Sequence, residues 1–108
     1  MRRSTLLGLG IVLLPSLLHA GQIFGSITAG GKGVAGAAIE ISCGGAVTTG
    51  STSGDGSYRI NVTQQGQCTL TLSGYEGRPS SAVFSYPNPR QYDFELVGTN
   101  KSYQLRKR

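Results

Sequence analysis

Apolar and polar residues alternate along most of the chain in short runs, and turn-forming residues close each run. One run shows this clearly: Tyr58, Ile60 and Val62 share a face, and the residues between them are polar. Alternation with a period of two is typical of strands that bury one face. No segment repeats apolar residues at the spacing of an amphipathic helix, so the pattern predicts an all-β protein.

Eight such runs are predicted as strands. They cover residues 22–28, 37–43, 46–52, 58–62, 68–72, 81–86, 91–97 and 102–106. The glycine-rich segment 29–36 and the Pro-Asn-Pro sequence at 87–89 are predicted loops, because glycine favours turns and proline lacks the N–H that a ladder needs. Seven or eight short strands, each with one apolar face, predict an antiparallel β-sandwich.

The first 20 residues have a different pattern from the rest of the chain. Two arginines begin the segment, an apolar run follows over residues 6–14, and the segment ends at Ala20. This layout predicts a secretory signal peptide over residues 1–20, followed by one domain over residues 21–108. A transmembrane anchor is the alternative, but it needs about 20 apolar residues, more than this run contains.

The predicted mature chain contains two cysteines, Cys43 and Cys68. An isolated pair in an exported protein predicts one disulfide, because such compartments are oxidising. Both cysteines fall on the apolar side of their predicted strands, so antiparallel strands would bring the two sulfurs to the same end of the core. A redox-active pair is the alternative, and its cysteines normally lie much closer in sequence.

The segment 53–57, Ser-Gly-Asp-Gly-Ser, could bind a cation or phosphate or could reverse the chain. A calcium loop needs several alternating Asp or Asn ligands, whereas Asp55 is the single carboxylate between Glu40 and Glu76. A phosphate loop needs Gly-Lys-Ser/Thr before a helix, and this pattern is missing here. Glycine permits positive φ, and Asp can hydrogen-bond the backbone two residues on, so a tight hairpin turn is predicted.

The charge balance argues against one class of function. Without the signal peptide, eight Lys and Arg residues oppose five Asp and Glu residues, and Arg106, Lys107 and Arg108 account for the excess. The body of the domain is then close to neutral, which argues against nucleic-acid binding. The basic C-terminal tip, residues 106–108, is a candidate contact for anionic lipid headgroups, lipopolysaccharide or an acidic protein; a solvated end is the alternative.

Several motifs occur in a recognisable order. Gly-Ser-Ile at 25–27 leads through a glycine-rich loop to Val-Ala-Gly-Ala-Ala-Ile-Glu-Ile at 34–41, and Thr-Ser-Gly-Asp-Gly-Ser-Tyr at 52–58 and Leu-Thr-Leu-Ser-Gly-Tyr at 70–75 follow. Together they resemble the carboxypeptidase regulatory-like domain, a transthyretin-like (prealbumin-like), Ig-like β-sandwich of seven strands. The resemblance covers about residues 22–97 and implies a non-catalytic module of exported proteins, usually attached to a larger partner or enzyme.

Side chains suited to catalysis are scarce. The only histidine, His19, lies in the predicted signal peptide, so the mature chain has no imidazole for acid–base work or metal binding. If Cys43 and Cys68 are paired, no thiolate serves as a nucleophile or zinc ligand. Asp93 and Glu95 share a strand face and could form an acid–base pair, although exposed carboxylates are far commoner. The sequence predicts a protein that is not an enzyme and binds no cofactor or metal.

Two tyrosines outside the core pattern, Tyr75 and Tyr86, lie near predicted loops. They could stack on sugar rings or contact a partner, but partial burial as loop anchors is the favoured interpretation. The expected function is a non-catalytic exported module that binds or supports an envelope component, with a carbohydrate-binding module as the alternative. We expect a periplasmic or, second, an extracellular location, an envelope protein or glycan as partner, no membrane span, and at most weak contact with anionic headgroups.

Overall fold

A computed structural model describes residues 21–98 and 102–108. The predicted signal peptide and residues 99–101 lie outside these described residues. The described chain forms β1 (Gly21–Ala29), β2 (Lys32–Gly33), β3 (Ala38–Cys43), β4 (Ala46–Ser51), β5 (Ser57–Val62), β6 (Gly66–Leu72), β7 (Ser80–Ser85), β8 (Arg90–Gln91), β9 (Phe94–Val97) and β10 (Gln104–Lys107). The predicted all-β class is confirmed.

The strands form two sheets that pack against each other. In the six-stranded sheet β1 is central, with β5 and β2 along one edge and β8 and β9 along the other, and β10 lies beyond β9. The four-stranded sheet has the order β4-β3-β6-β7. The sandwich is confirmed, although β1 pairs with β8 and β9 in parallel. The additional strands, β2 and β8, have two residues each, too few to show alternation.

The core between the sheets consists largely of the residues that alternation places inward. Apolar side chains with 0% exposure are Ile23, Ile27, Ile39, Ile41, Leu70, Leu72 and Phe94. Each of them leaves water on folding, and burial of one such side chain stabilises the fold by roughly 1.5–3 kcal/mol relative to exposure. Both sheets therefore depend on the apolar face of the other.

A disulfide joins Cys43 to Cys68, as predicted. Cys43 ends β3, Cys68 lies near the start of β6, and these two strands are antiparallel neighbours. Both residues are only 2% exposed, so the bond lies within the core. A buried disulfide in a small domain is compatible with export to an oxidising compartment.

The turn at residues 53–57 does not close a hairpin, so that prediction is wrong. β4 pairs with β3 in the four-stranded sheet, whereas β5 pairs with β1 in the six-stranded sheet. The turn therefore carries the chain from one sheet to the other. Its local chemistry is as expected, because the Ser57 N–H donates to Asp55 Oδ1, two residues back, at 3.0 Å.

The predicted strand 91–97 is interrupted after β8, at Tyr92 and Asp93. The Tyr92 N–H donates to the Phe24 carbonyl at 2.8 Å, and the Asp93 carboxylate accepts the Ser26 N–H at 2.9 Å. A side-chain oxygen thus takes the place of a backbone carbonyl beside β1. The interruption lies between the two short parallel pairings of β1. It keeps the N–H groups of Ser26 and Tyr92 hydrogen-bonded.

Candidate functional site

The two carboxylates considered as an acid–base pair have different surroundings. Asp93 Oδ1 accepts the N–H and the hydroxyl of Ser26, at 2.9 and 3.2 Å, and its Oδ2 accepts Gln91 Nε2 at 3.0 Å. Glu95 lies in β9, opposite Arg106 of β10. Asp93 is half-buried and holds the strand interruption in place, so its hydrogen bonds give it a structural role.

The basic C-terminal residues are exposed, and two of them belong to the edge strand of the six-stranded sheet. Arg106 and Lys107 belong to β10, and the Lys107 ammonium lies 5.7 Å from the Tyr92 ring centre. The Arg108 N–H donates to the Asp93 carbonyl at 2.9 Å, and its guanidinium donates to Ser26 Oγ at 3.2 Å. Pairing with β9 therefore fixes these charges on the sheet.

Basic residues are segregated onto the six-stranded sheet and the residue that follows it. Within the described residues these are Lys32, Arg59, Arg90, Arg106, Lys107 and Arg108. The carboxylates on the same sheet or in its interruption are Asp93 and Glu95. The four-stranded sheet and its loops carry one described basic residue, Arg78, whose guanidinium forms an ion pair with Glu40 at 2.7 Å. The six-stranded sheet and the residue after it therefore hold six of the seven described basic residues.

Tyr75 is a loop anchor. Its half-buried ring packs against the core and meets Tyr103 edge to face, with ring centres 5.2 Å apart. The Tyr75 carbonyl also accepts the Arg78 N–H at 2.9 Å, which closes the loop between β6 and β7. These contacts leave Tyr75 poorly placed to stack on a ligand.

Tyr86 differs from Tyr75, because 43% of its surface is exposed. The Arg90 guanidinium lies over its ring, 4.7 Å from the ring centre. The sequence favours partial burial as a loop anchor for both tyrosines, and the structure shows this for Tyr75 alone. Tyr86 and Arg90 form an exposed cation–π pair.

A cleft of about 410 Å³ opens where the chain crosses between the sheets. Its lining consists of Phe24 and Gly25 of β1, residues 51–53, and residues 57–59. We call it the corner cleft. Its volume falls in the range of about 300–1,000 Å³ that is usual for small-molecule sites. Two of its lining residues are fully engaged within the protein: Thr52 Oγ1 bonds the Ala37 N–H and the Val34 carbonyl, and the Tyr58 hydroxyl bonds the Tyr92 carbonyl.

One rim of the corner cleft is the 53–57 turn. The Ser57 and Ser53 hydroxyls lie 2.7 and 2.8 Å from Asp55 Oδ1 and 2.7 Å from each other. Hydrogen bonds from the side chains of Ser57 and Ser53, and then from the Ser57 N–H, lower the pKa of Asp55 from 3.8 to about 2. Asp55 is therefore ionised at neutral pH and acts only as an acceptor.

A second wall of the corner cleft is cationic, because Arg59 lines it. The exposed Arg59 guanidinium lies over the Phe24 ring, 5.1 Å from its centre, and donates to Gln22 Oε1 at 2.6 Å. Gln22 is itself held, because its amide donates to Asn61 Oδ1 at 3.1 Å. Among the described residues the one side-chain ion pair is Arg78–Glu40, so no described carboxylate neutralises Arg59.

The sequence pattern did not single out Phe24 or Arg59 as site residues, and it assigned Ser53 and Ser57 to a structural turn. Alternation indicates that Phe24 and Arg59 face away from the core, so the outward orientation of both side chains can be predicted from the sequence. Their proximity depends on the register of β1 against β5, which pairs Phe24 with Arg59. That register joins strands about 35 residues apart and cannot be read from either strand alone.

Two further observations concern the described residues. In the described part of the chain, no group of three or more His, Cys, Asp or Glu side chains could hold a metal ion. Within the same residues, no helix has the length and apolar character that a membrane crossing requires. The candidate binding features of the surface are the basic residues of the six-stranded sheet, the Tyr86–Arg90 pair and the corner cleft.

Comparison with known proteins gives no family assignment. No protein-family model and no curated protein matches the chain. The resemblance to the carboxypeptidase regulatory-like domain thus stays a prediction from the motifs.

Proposed function

We propose that the chain is an exported, non-catalytic module of the carboxypeptidase regulatory-like type that binds a negatively charged component of the cell envelope. The observation that carries this proposal is the concentration of basic residues on the six-stranded sheet. Six described basic residues there oppose Asp93 and Glu95, together with Asp55 in the turn that leads into β5, and Asp93 is occupied by hydrogen bonds within the protein. The sheet therefore presents a net positive face.

The contacts of these basic residues favour binding over simple solubility. Arg59 lies over Phe24, Arg90 over Tyr86 and Lys107 near Tyr92, so aromatic rings restrict three of the cations. Ordering a long side chain in advance lowers the entropy lost when it binds a ligand. Cations that are held in place and not neutralised can then attract an anionic partner at low entropic cost.

Export and location form the second part of the proposal. The N-terminal pattern of residues 1–20 supports secretion, and the Cys43–Cys68 disulfide is compatible with an oxidising compartment. We place the mature domain in the periplasm, where anionic glycans, lipopolysaccharide and lipid headgroups are available partners. An extracellular location would suit the same chemistry.

The test uses purified, oxidised protein over residues 21–108. Retention is measured on immobilised lipopolysaccharide and polygalacturonate, with neutral dextran as the control matrix, over a range of salt concentrations. The Arg106→Gln/Lys107→Gln variant removes two charges from the six-stranded sheet, and Arg78→Gln removes the basic residue described on the other sheet. Substitution is preferable to truncation, because residues 106 and 107 form half of β10 beside the buried Leu105.

We expect retention on at least one anionic matrix, none on dextran, and weaker retention at high salt. Each charge removed from the sheet should lower the affinity about fivefold, corresponding to about 1 kcal/mol per charge. The Arg78→Gln protein should bind like the wild type. Failure of the wild type to bind either anionic matrix at low salt, or an equal loss in Arg78→Gln, would overturn the proposal.

A further inference from the structure

We propose that the corner cleft is a binding site for a saccharide that carries a carboxylate or phosphate group. This inference rests on the proposed function and names the class of ligand that one part of the basic sheet would take. It follows from the hydrogen-bond acceptors of Ser53 and Ser57 and the donors of Arg59, which line the same cleft. No residue of this cleft was among the binding candidates predicted from the sequence.

The rim formed by the 53–57 turn presents acceptors to a ligand. Each serine hydroxyl has one proton, and the oxygens of Ser53 and Ser57 lie within 2.8 Å of Asp55 Oδ1 and 2.7 Å of each other. Each proton has Asp55 Oδ1 or the other serine oxygen as its acceptor, so both protons are used within the turn. The lone pairs that remain on the two hydroxyls accept hydrogen bonds, which suits a ligand rich in O–H donors.

The Arg59 wall presents donors and positive charge. A guanidinium carries five N–H donors in a planar fork, and one of them, on Nη1, is committed to Gln22. The Phe24 ring and the Asn61–Gln22 hydrogen bond hold this side chain in position. Arginine in a fixed orientation recognises the two oxygens of a carboxylate or phosphate, with hydrogen bonds stronger than those between neutral groups.

The two sides together select an acidic saccharide over simpler ligands. A neutral sugar has no charge to pair with Arg59, and a small anion such as acetate has no hydroxyl groups to donate to Ser53 and Ser57. Asp55 is ionised and lies on that rim, so it repels the acidic group of the ligand and directs it towards Arg59. The ligand should therefore bind in one orientation, with hydroxyl groups at Ser53 and Ser57.

The experiment is a titration of the ¹⁵N-labelled domain, residues 21–108, followed by NMR. The probes are trigalacturonate, galactotriose as its neutral counterpart, glucose 6-phosphate, acetate and inorganic phosphate. Trigalacturonate and glucose 6-phosphate distinguish a carboxylate-bearing from a phosphate-bearing sugar. Arg59→Gln tests the cationic wall, Ser53→Ala tests the rim, and Arg106→Gln/Lys107→Gln removes charge from the same sheet away from the cleft.

We expect trigalacturonate or glucose 6-phosphate to shift the signals of Gly25, Ser53, Ser57 and the Arg59 side chain, and to bind at least about tenfold more tightly than galactotriose, acetate or phosphate. Arg59→Gln should weaken that binding by about tenfold or more, and Ser53→Ala by a smaller factor. The Arg106→Gln/Lys107→Gln variant should retain most of the affinity for these small ligands. The spectrum of each free variant shows whether it is folded.

The outcomes separate this inference from the proposed function. If anionic matrices retain the protein but neither acidic sugar shifts the cleft signals, the cleft inference fails and the proposed function stands. If acetate or phosphate binds with the same affinity as the acidic sugars, Arg59 contacts anions without selecting a saccharide. That result would also overturn the inference. A loss caused by Arg106→Gln/Lys107→Gln and not by Arg59→Gln would place the site on β10. If no anionic matrix or sugar binds, both proposals fall.

Discussion

Gly25 and Tyr92 are in direct backbone contact, and a Cβ atom at position 25 would overlap the Tyr92 carbonyl oxygen. This contact lies at the point where β1 exchanges β8 for β9 as its parallel neighbour. The same carbonyl accepts the Tyr58 hydroxyl at 2.6 Å, so the backbone of Tyr92 is held from both sides. Burial, and then the negative charge of Asp93, raise the pKa of Tyr58, which keeps this donor protonated.

Substitution of Gly25 should therefore destabilise the sandwich. We expect Gly25→Ala to lower the free energy of unfolding by about 3 kcal/mol, because the carbonyl cannot move without breaking its bond to Tyr58. Gly54→Ala is the matched control, since an added Cβ at Gly54 would have no atom within 4 Å. Its effect should stay within about 0.5 kcal/mol. Urea unfolding of both variants measures the difference, and equal stabilities would show that the Gly25–Tyr92 contact can relax.

Thr52 provides a second test, of a buried hydroxyl. Its Oγ1 accepts the Ala37 N–H at 2.8 Å and donates to the Val34 carbonyl at 2.5 Å, and the residue is 4% exposed. Thr52→Val keeps the shape and leaves both backbone groups unpaired, so we expect a loss of about 3 kcal/mol. Thr52→Ser keeps the hydroxyl and removes a methyl group, at a cost of about 1 kcal/mol. If chemical denaturation shows that Thr52→Ser is less stable than Thr52→Val, the hydroxyl is not what stabilises this site.

Much of the fold could be predicted because one physical rule, burial of one strand face, acts locally. Tyr58, Ile60 and Val62 alternate in the sequence and are all buried in β5. The crossing at residues 53–57 could not be predicted in the same way, because a Gly-Asp-Gly turn can join strands within a sheet or between sheets. Only the pairing of β4 with β3 and of β5 with β1 decides between them.

The candidate site was harder to predict than the fold, since it depends on contacts between distant residues. Asp93 and Glu95 look equivalent in an alternating strand, but Asp93 lies in an interruption and bonds Ser26. The basic residues at 106–108 look like a free end, whereas β10 pairs with β9. In both cases a backbone pairing partner, absent from the local sequence, sets the role of the side chain.

The disulfide should supply a large part of the stability of so small a domain. Cys43 and Cys68 lie 25 residues apart, and closing a loop of this length stabilises the folded state by about 3.5 kcal/mol in the chain-entropy description. The Cys43→Ala/Cys68→Ala variant should lose about that amount in urea unfolding. Reductant should lower the midpoint of the wild type and leave the variant unchanged. The oxidised protein should also be lighter than its reduced form by two hydrogen atoms, and free thiols in exported protein would contradict the pairing.

The 53–57 turn should make stability depend on pH in the acidic range. In the folded state, hydrogen bonds from Ser57 and Ser53 lower the pKa of Asp55 from 3.8 to about 2. Because the folded-state pKa lies below the unfolded one, the stabilisation is fully present above about pH 4 and is lost as the pH falls towards 2. Asp55→Asn cannot ionise, so it should be less stable than the wild type at pH 6, and this difference should shrink between pH 4 and 2.

Urea unfolding of the wild type and Asp55→Asn at several pH values between 2 and 6 tests this linkage. Glu76→Gln removes a carboxylate from the loop between β6 and β7 and serves as the control for a general loss of negative charge. If the difference in free energy of unfolding between the wild type and Asp55→Asn stays constant over this pH range, the serine hydrogen bonds do not favour the ionised carboxylate. Ser53 and Ser57 present only hydrogen-bond acceptors to a ligand if their protons are donated to an ionised Asp55. That result would therefore also contradict the acceptor role proposed for these two residues at the corner cleft.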